Sequence, residues 1–172
     1  MNGHSPQVAL AIASYEHFVR TGRKLARPDN LPGELLERRA GVFVSLHLDG
    51  ALRGCIGTIA PTTACIADEI IQNAVSAAAH DPRFPPVRVS ELARMVCSVD
   101  VLDEPEDVAG AADLDVKQYG VIVSRGRRRG LLLPNLEGVD TVEEQMDIAR
   151  RKAGIGPDEP VSLQRFRVVR YH

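Results

Sequence analysis

The sequence predicts an α+β fold, a largely antiparallel sheet flanked by helices. Three observations carry that prediction. Asp49-Gly50 joins two β-rich runs, a second pair of such runs meets at the arginine-rich stretch Arg125–Arg129, and segments with a helical apolar period stand between these hairpins. No glycine-rich βαβ nucleotide-binding fingerprint is present.

At 172 residues the chain has the size of one domain, 1–172, whose motif-bearing part is 41–172 and is preceded by a helix over 6–22. Apolar residues make up 44% but aromatics only 4%, with no Trp, so the core is built from Val, Leu, Ile and Ala.

From Ser5, the residues Val8, Ile12, Tyr15 and Val19 recur at helical spacing, with Pro6 suited to the first turn and Gly22 to the stop. RKLARPDNLPGELLERRAG reads as a surface connector with a helical turn at Gly33–Arg39. VFVSLHLDGALRGCIGTI is then a hairpin, Val42–Asp49 against Ala51–Ile59. A two-residue turn would set Leu48 against Ala51, Leu46 against Arg53 and Val44 against Cys55, which places Arg53 and Cys55 on one face. Gly54 and Gly57 interrupt the second strand, the mark of a bulge or of a place where another backbone or a ligand comes close.

Thr62 or Thr63 is placed to cap a helix within Ala64–Ala79, striped by Ile66, Ile70, Ala74 and Ala77. HDPRFPP is irregular because of its prolines, and SELAR is a short helical turn. MVCSVDVLDEP alternates as a strand. EDVAGAADLD reads as exposed, YGVIVSRGRRRGLLLP as the second hairpin, TVEEQMDIARRKAG as a helix ending at Gly154, and QRFRVVRYH as one terminal strand.

The formal net charge of −2 provides no global field for nucleic acid or an anionic membrane surface. The basic tip Arg125–Arg129 lacks the aromatic platforms that single-strand binders use, so it reads as a solvated turn and nucleic acid as an improbable partner. No apolar run is long enough to span a bilayer and the N-terminus lacks a signal-peptide pattern, which points to the cytoplasm. Cys55, Cys65 and Cys97 are odd in number and scattered, so reduced thiols are expected. No grouping has metal-ligand spacing, and no cofactor is predicted.

Chemistry concentrates in LRGCIGT, Leu52–Thr58. As a nucleophile, Cys55 would need a cation such as Arg53 and a base, for which His80, oriented by Asp81, is the candidate. Alternatively Cys55 packs as a small apolar residue. As a binding surface, the same stretch offers glycines that let a ligand reach the backbone, with Arg53 and Arg83 as forks for a carboxylate or phosphate. Arg83 could equally be latched to Asp81. The proline-stiffened DPRF loop is expected to lie against the LRGCIGT strand, which gives a binding set of Arg53, Gly54, Cys55, Gly57, Thr58, Asp81 and Arg83.

LRGCIGT after GVFVSL, AAAHDPRFPPVRVSEL, YGVIV, LLLPN and the late KAGI together resemble the AMMECR domain family, most closely its bacterial AmmeMemoRadiSam system protein A branch. The resemblance runs from about Gly41 to the C-terminus. It implies an α+β fold of a larger and a smaller lobe around a cleft near the LRGCIGT strand, with no settled reaction. It also implies a Memo-like protein and a radical S-adenosylmethionine enzyme as companions, and a small-molecule or peptide ligand. The residues carried over are Leu52–Thr58, Asp81, Arg83, Phe84, Pro85, Gly120, Leu133 and Pro134. Tyr119 stands where many relatives have a histidine and Asn135 where many have a glutamine. The chain is not itself the radical enzyme, since its cysteines are too dispersed to bind a four-iron cluster. The reading that follows is a ligand- or partner-binding module, with a cysteine-dependent enzyme as the alternative.

Overall fold

The computed structural model describes residues 3–172 and is mixed α and β, with two four-stranded sheets, each in its own compact unit. The larger unit comprises the chain up to Val101 together with Val169–His172; the smaller comprises Leu102–Val168.

In the larger unit, α1 (Pro6–Thr21) begins as its sequence dictates, with the Ser5 hydroxyl accepting from the Val8 amide and Pro6 in the first turn, and it ends at Gly22 with φ 72°. A short helix, α2, follows at Gly33–Glu37. Strands β1 (Val42–Leu48) and β2 (Ala51–Gly57) form the predicted hairpin, both turn residues taking positive φ, 50° at Asp49 and 83° at Gly50. Helix α3 (Ile66–Ala79) packs across β1 and β2, and α1 packs on α3. The sheet order is β2-β1-β3-β8, with β3 at Met95–Leu102 and β8 at Val168–Tyr171. Val42, Val44 and Leu46 of β1, Val99 and Val101 of β3, and Ile66, Ile70 and Ala74 of α3 are buried in one aliphatic core.

The hairpin departs from the simple register. Leu48 pairs with Ala51 and His47 with Leu52, but Leu46 then pairs with Gly54, Ser45 with Cys55, Val44 with Ile56 and Phe43 with Gly57. Arg53 is the extra residue of a β-bulge, so Leu46 does not face Arg53 and Val44 does not face Cys55. Because side chains alternate, one inserted residue moves every later side chain to the opposite face. Gly54 now faces the core beneath α3, and Cys55 leaves it. A Cβ at Gly54 would sit 2.1 Å from the Ala77 carbonyl oxygen, so only glycine lets the helix approach this closely. Both the bulge and the close backbone expected of this stretch are realised, the bulge at Arg53 and the backbone against Gly54.

Neither Thr62 nor Thr63 caps α3. The N-cap is Cys65, without a side-chain cap, because both threonines are turned onto Glu69.

In the smaller unit the order is β4-β7-β5-β6, with β4 at Glu106–Val108, β5 at Gly120–Arg125, β6 at Arg128–Leu132 and β7 at Ser162–Phe166. The segment read as exposed therefore supplies a short edge strand. The single terminal strand read from QRFRVVRYH is two: β7 pairs with β5 in this sheet, and β8 belongs to the other. Alternation looks the same on either side of Arg167, which is why the switch is invisible in sequence. Helix α4 (Val142–Ala153) has the Thr141–Glu144 capping box and a left-handed Gly154. At the arginine-rich tip, Arg125 donates to the Pro160 carbonyl, Arg128 pairs with Glu159 at 2.7 Å and Arg129 with Gln164, so three of its arginines are held by neighbours.

Candidate functional site

The centre of the site is the free edge of β2. An edge strand exposes unpaired N–H and C=O groups, and here side chains satisfy those of Cys55. Its amide donates to Asp81 Oδ2 at 3.0 Å, and its carbonyl accepts from Arg83 Nη2 at 3.3 Å. Asp81 is 4% exposed, and Arg83 donates to it three times, Nη2 to Oδ2 at 2.8 Å, and Nε and the backbone amide to Oδ1 at 3.1 and 3.0 Å. Donation from Arg83, reinforced by the Cys55 amide, holds the Asp81 carboxyl far below the usual carboxylate range against the opposing effect of burial. The DPRF loop thus lies against the strand, and the Asp81–Arg83 latch also grips it.

Arg53 projects elsewhere. Its Nε and Nη2 fork onto Glu91 at 2.9 and 3.2 Å, and Glu91 also accepts from the Arg88 amide at 2.7 Å. The fork holds the Glu91 carboxyl below its ordinary range. The carboxylate committed to Arg53 is therefore Glu91. The third guanidinium nitrogen, Nη1, is buried and has no partner among the described residues. Arg53 also lines a cavity of about 320 Å³, together with Phe84, Pro85, Arg88, Ser90 and Glu91.

Cys55 is half-buried, with Sγ 3.2 Å from Ser45 Oγ. Its face of the sheet also carries Ser98, opposite Ser45, and Asp100, whose buried carboxylate is forked by Arg170 at 2.7 and 2.9 Å. His80 does not join this group. It is exposed at the end of α3, its ring meets Phe18 edge-on at 6.1 Å, and no hydrogen bond links it to Cys55 or Asp81. Both Asp81 oxygens accept from Cys55 and Arg83, and no hydrogen bond joins Asp81 to His80 among the described residues.

The remaining motif residues act as packing. Gly57 lies under the Phe43 ring, where a Cβ would come within 2.2 Å. Thr58 donates to Glu69 at 2.6 Å and accepts from the Asn73 amide. Glu69, fully buried, also receives the amides and hydroxyls of Thr62 and Thr63. Burial alone would raise its pKa, but these donors together lower it. Sequence reasoning missed Glu69, Glu91, Ser45 and Arg170. For Glu69 a signal existed: Thr58, Thr62 and Thr63 gather just before a helix whose first turn contains an acid.

Tyr119 and Asn135, the two positions at which the sequence resemblance implies a departure, each have a local setting. Tyr119 lies under the guanidiniums of Arg165 and Arg167, 4.3 and 5.3 Å from the ring centre, and its hydroxyl accepts from Arg167. Asn135 has φ 55°, a left-handed conformation that asparagine adopts more readily than glutamine.

Among the described residues no group of three or more His, Cys, Asp or Glu is placed to hold a metal ion, and no helix is long and apolar enough to cross a membrane.

Comparison with known proteins places the site in context. The family model described as AMMECR1 matches residues 8–172. A protein of Thermotoga maritima is 54% identical over 173 residues, covering 99% of both chains. Protein CA_C1420 of Clostridium acetobutylicum is 52% identical over 167 residues, which cover 96% of this chain but 36% of that one, so this chain spans about a third of that relative's length. The crystal structure of uncharacterized protein PH0010 from Pyrococcus horikoshii superposes with a TM-score of 0.88 at 34% identity, over 95% of this chain and 88% of that chain.

Proposed function

The chain belongs to the AMMECR1 family, and from that premise we propose that it is a cytoplasmic ligand- or partner-binding module rather than a self-sufficient catalyst. Its binding surface is the β2 edge and the DPRF loop, with Arg53, Cys55, Asp81 and Arg83 in front and Gly54, Gly57 and Thr58 shaping the strand from behind. The observation that carries this reading is the clamp on Cys55: Asp81 and Arg83 are consumed in joining loop to strand, so neither is left to serve a cysteine nucleophile as base or orienting group. The Memo-like protein and the radical S-adenosylmethionine enzyme are the companions that the sequence resemblance suggests. The Clostridium relative, in which the matching region is only part of a longer chain, is compatible with a module that works beside other domains.

The test is iodoacetamide labelling of the folded protein at pH 7, with Cys55 read by peptide mapping. We expect slow labelling. Labelling at the rate of an activated thiolate would replace this reading with the cysteine-dependent enzyme. On the partner side, co-expression with the Memo-like protein and the radical enzyme should give a complex that Arg83→Ala weakens.

A further inference from the structure

We infer that the cavity beside β2 is a subsite for a carboxylate carried on an apolar body, with Arg53 and Arg88 as the cationic groups and Phe84 and Pro85 as the wall. This deepens the binding reading above and rests on it, but it assigns Arg88, Ser90 and the ligand class from the cavity itself.

Three observations converge. First, Arg53 Nη1 is buried without a partner among the described residues, although Nε and Nη2 of the same side chain are forked by Glu91. A buried guanidinium N–H without an acceptor is costly, and a ligand acceptor that reached it through a small shift of the lining side chains would remove that cost. Second, the Arg88 side chain is exposed and its charge acts on Glu91, a carboxylate that Arg53 already forks, while Ser90 is exposed beside it in the same lining. Third, the DPRF loop supplies the opposite chemistry at the same place, with Phe84 half-buried, Pro85 exposed, and Arg83 stacked 5.4 Å from the Phe84 ring centre. The cavity, about 320 Å³, is at the small end of ligand-sized sites.

Charge decides between the anions. The cavity is lined by two guanidiniums and one carboxylate, Arg53, Arg88 and Glu91, and the neighbouring Arg83–Asp81 pair is neutral. One net positive charge matches a single carboxylate, whereas a phosphate dianion would leave an excess negative charge beside Glu91. The Phe84 and Pro85 wall would have nothing to cover in a bare inorganic anion, and it suits a ring or short aliphatic body.

The experiment is a ¹H–¹⁵N NMR titration of the full chain with sodium benzoate, with inorganic phosphate at matched ionic strength as comparison. Benzoate should give saturable shifts at the amides of Phe84, Arg88, Ser90 and Glu91, and phosphate should not. Arg88→Ala, an exposed substitution outside the packed core, should weaken benzoate about tenfold or more, with partial recovery in Arg88→Lys. Saturation by phosphate but not benzoate at these amides would overturn the carboxylate assignment and leave the binding module standing. Benzoate shifts confined to Gly54–Gly57 and insensitive to Arg88→Ala would overturn the subsite and keep the binding surface on the strand. No saturable shift with either anion would overturn the subsite, and if Cys55 also labels rapidly, the binding reading falls with it.

Discussion

The Cys55 amide donates a 3.0 Å hydrogen bond to Asp81 Oδ2 across 26 residues of sequence, and through it a loop side chain takes the place of a neighbouring strand. The carboxylate is almost fully buried and is held ionised by Arg83. This pairing both shields the β2 edge and positions the wall of the adjacent cavity.

Asp81→Asn should lower unfolding stability at pH 7 by about 2–3 kcal/mol, the scale of a charge-assisted hydrogen-bond set around a buried carboxylate. The folded-state pKa is depressed, so the Asp81 contribution is complete above the unfolded carboxylate value and is lost as pH falls through the folded one. Denaturant titrations should therefore show the gap between wild type and variant holding at neutral pH and closing only in strong acid. A gap that widened on acidification would contradict the assignment.

Glu69→Gln should cost about 3 kcal/mol or more, because an amide nitrogen would face the threonine donors that now converge on a buried carboxylate. Its pKa is also lowered in the folded state, so the sign of the pH effect is the same, with the contribution lost on acidification. Thermal melts of the two proteins at pH 7 and at acid pH test this directly.

Gly54→Ala should destabilise by at least about 3 kcal/mol, since the added methyl would meet the backbone carbonyl of Ala77 and neither helix nor strand can yield cheaply. Gly57→Ala has a different obstacle, the Phe43 ring, which can be removed. In a double-mutant cycle with Phe43→Ala, the pair should be less destabilised than the sum of the single changes by about 1 kcal/mol or more. Additive costs would mean that the ring is not what excludes a side chain at Gly57.

Cys97 should remain unlabelled by iodoacetamide in the folded protein from pH 7 to about 9, because burial pushes its thiol up to about 12 and leaves it 4% exposed. Peptide mapping before and after unfolding is the measurement. Labelling of Cys97 at the rate of the unfolded chain would show that β3 opens under native conditions.

The sequence by itself determined the elements whose signals are local. The Asp49-Gly50 turn, the Ser5 and Thr141 caps, the glycine stops at Gly22 and Gly154, and the aliphatic stripe of α3 each depend on residues within a few positions, where backbone sterics and short-range hydrogen bonds decide. The contact of the DPRF loop with LRGCIGT was legible for a related reason, because a stiff loop bearing an acid and a base needs partners nearby. Only the tertiary structure decided which side chains meet. A one-residue bulge at Arg53 moved Cys55 off the core face and put Gly54 beneath α3, a choice enforced by the Ala77 carbonyl from the next element. Arg53 and Glu91, 38 residues apart, and Asp100 and Arg170, 70 apart, pair because folding buries Arg53, Glu91 and Asp100 and a buried charge requires a counter-charge. Nothing within a helical turn or a strand repeat encodes such a choice, so register, ion-pair partners and the cavity they leave belong to the fold.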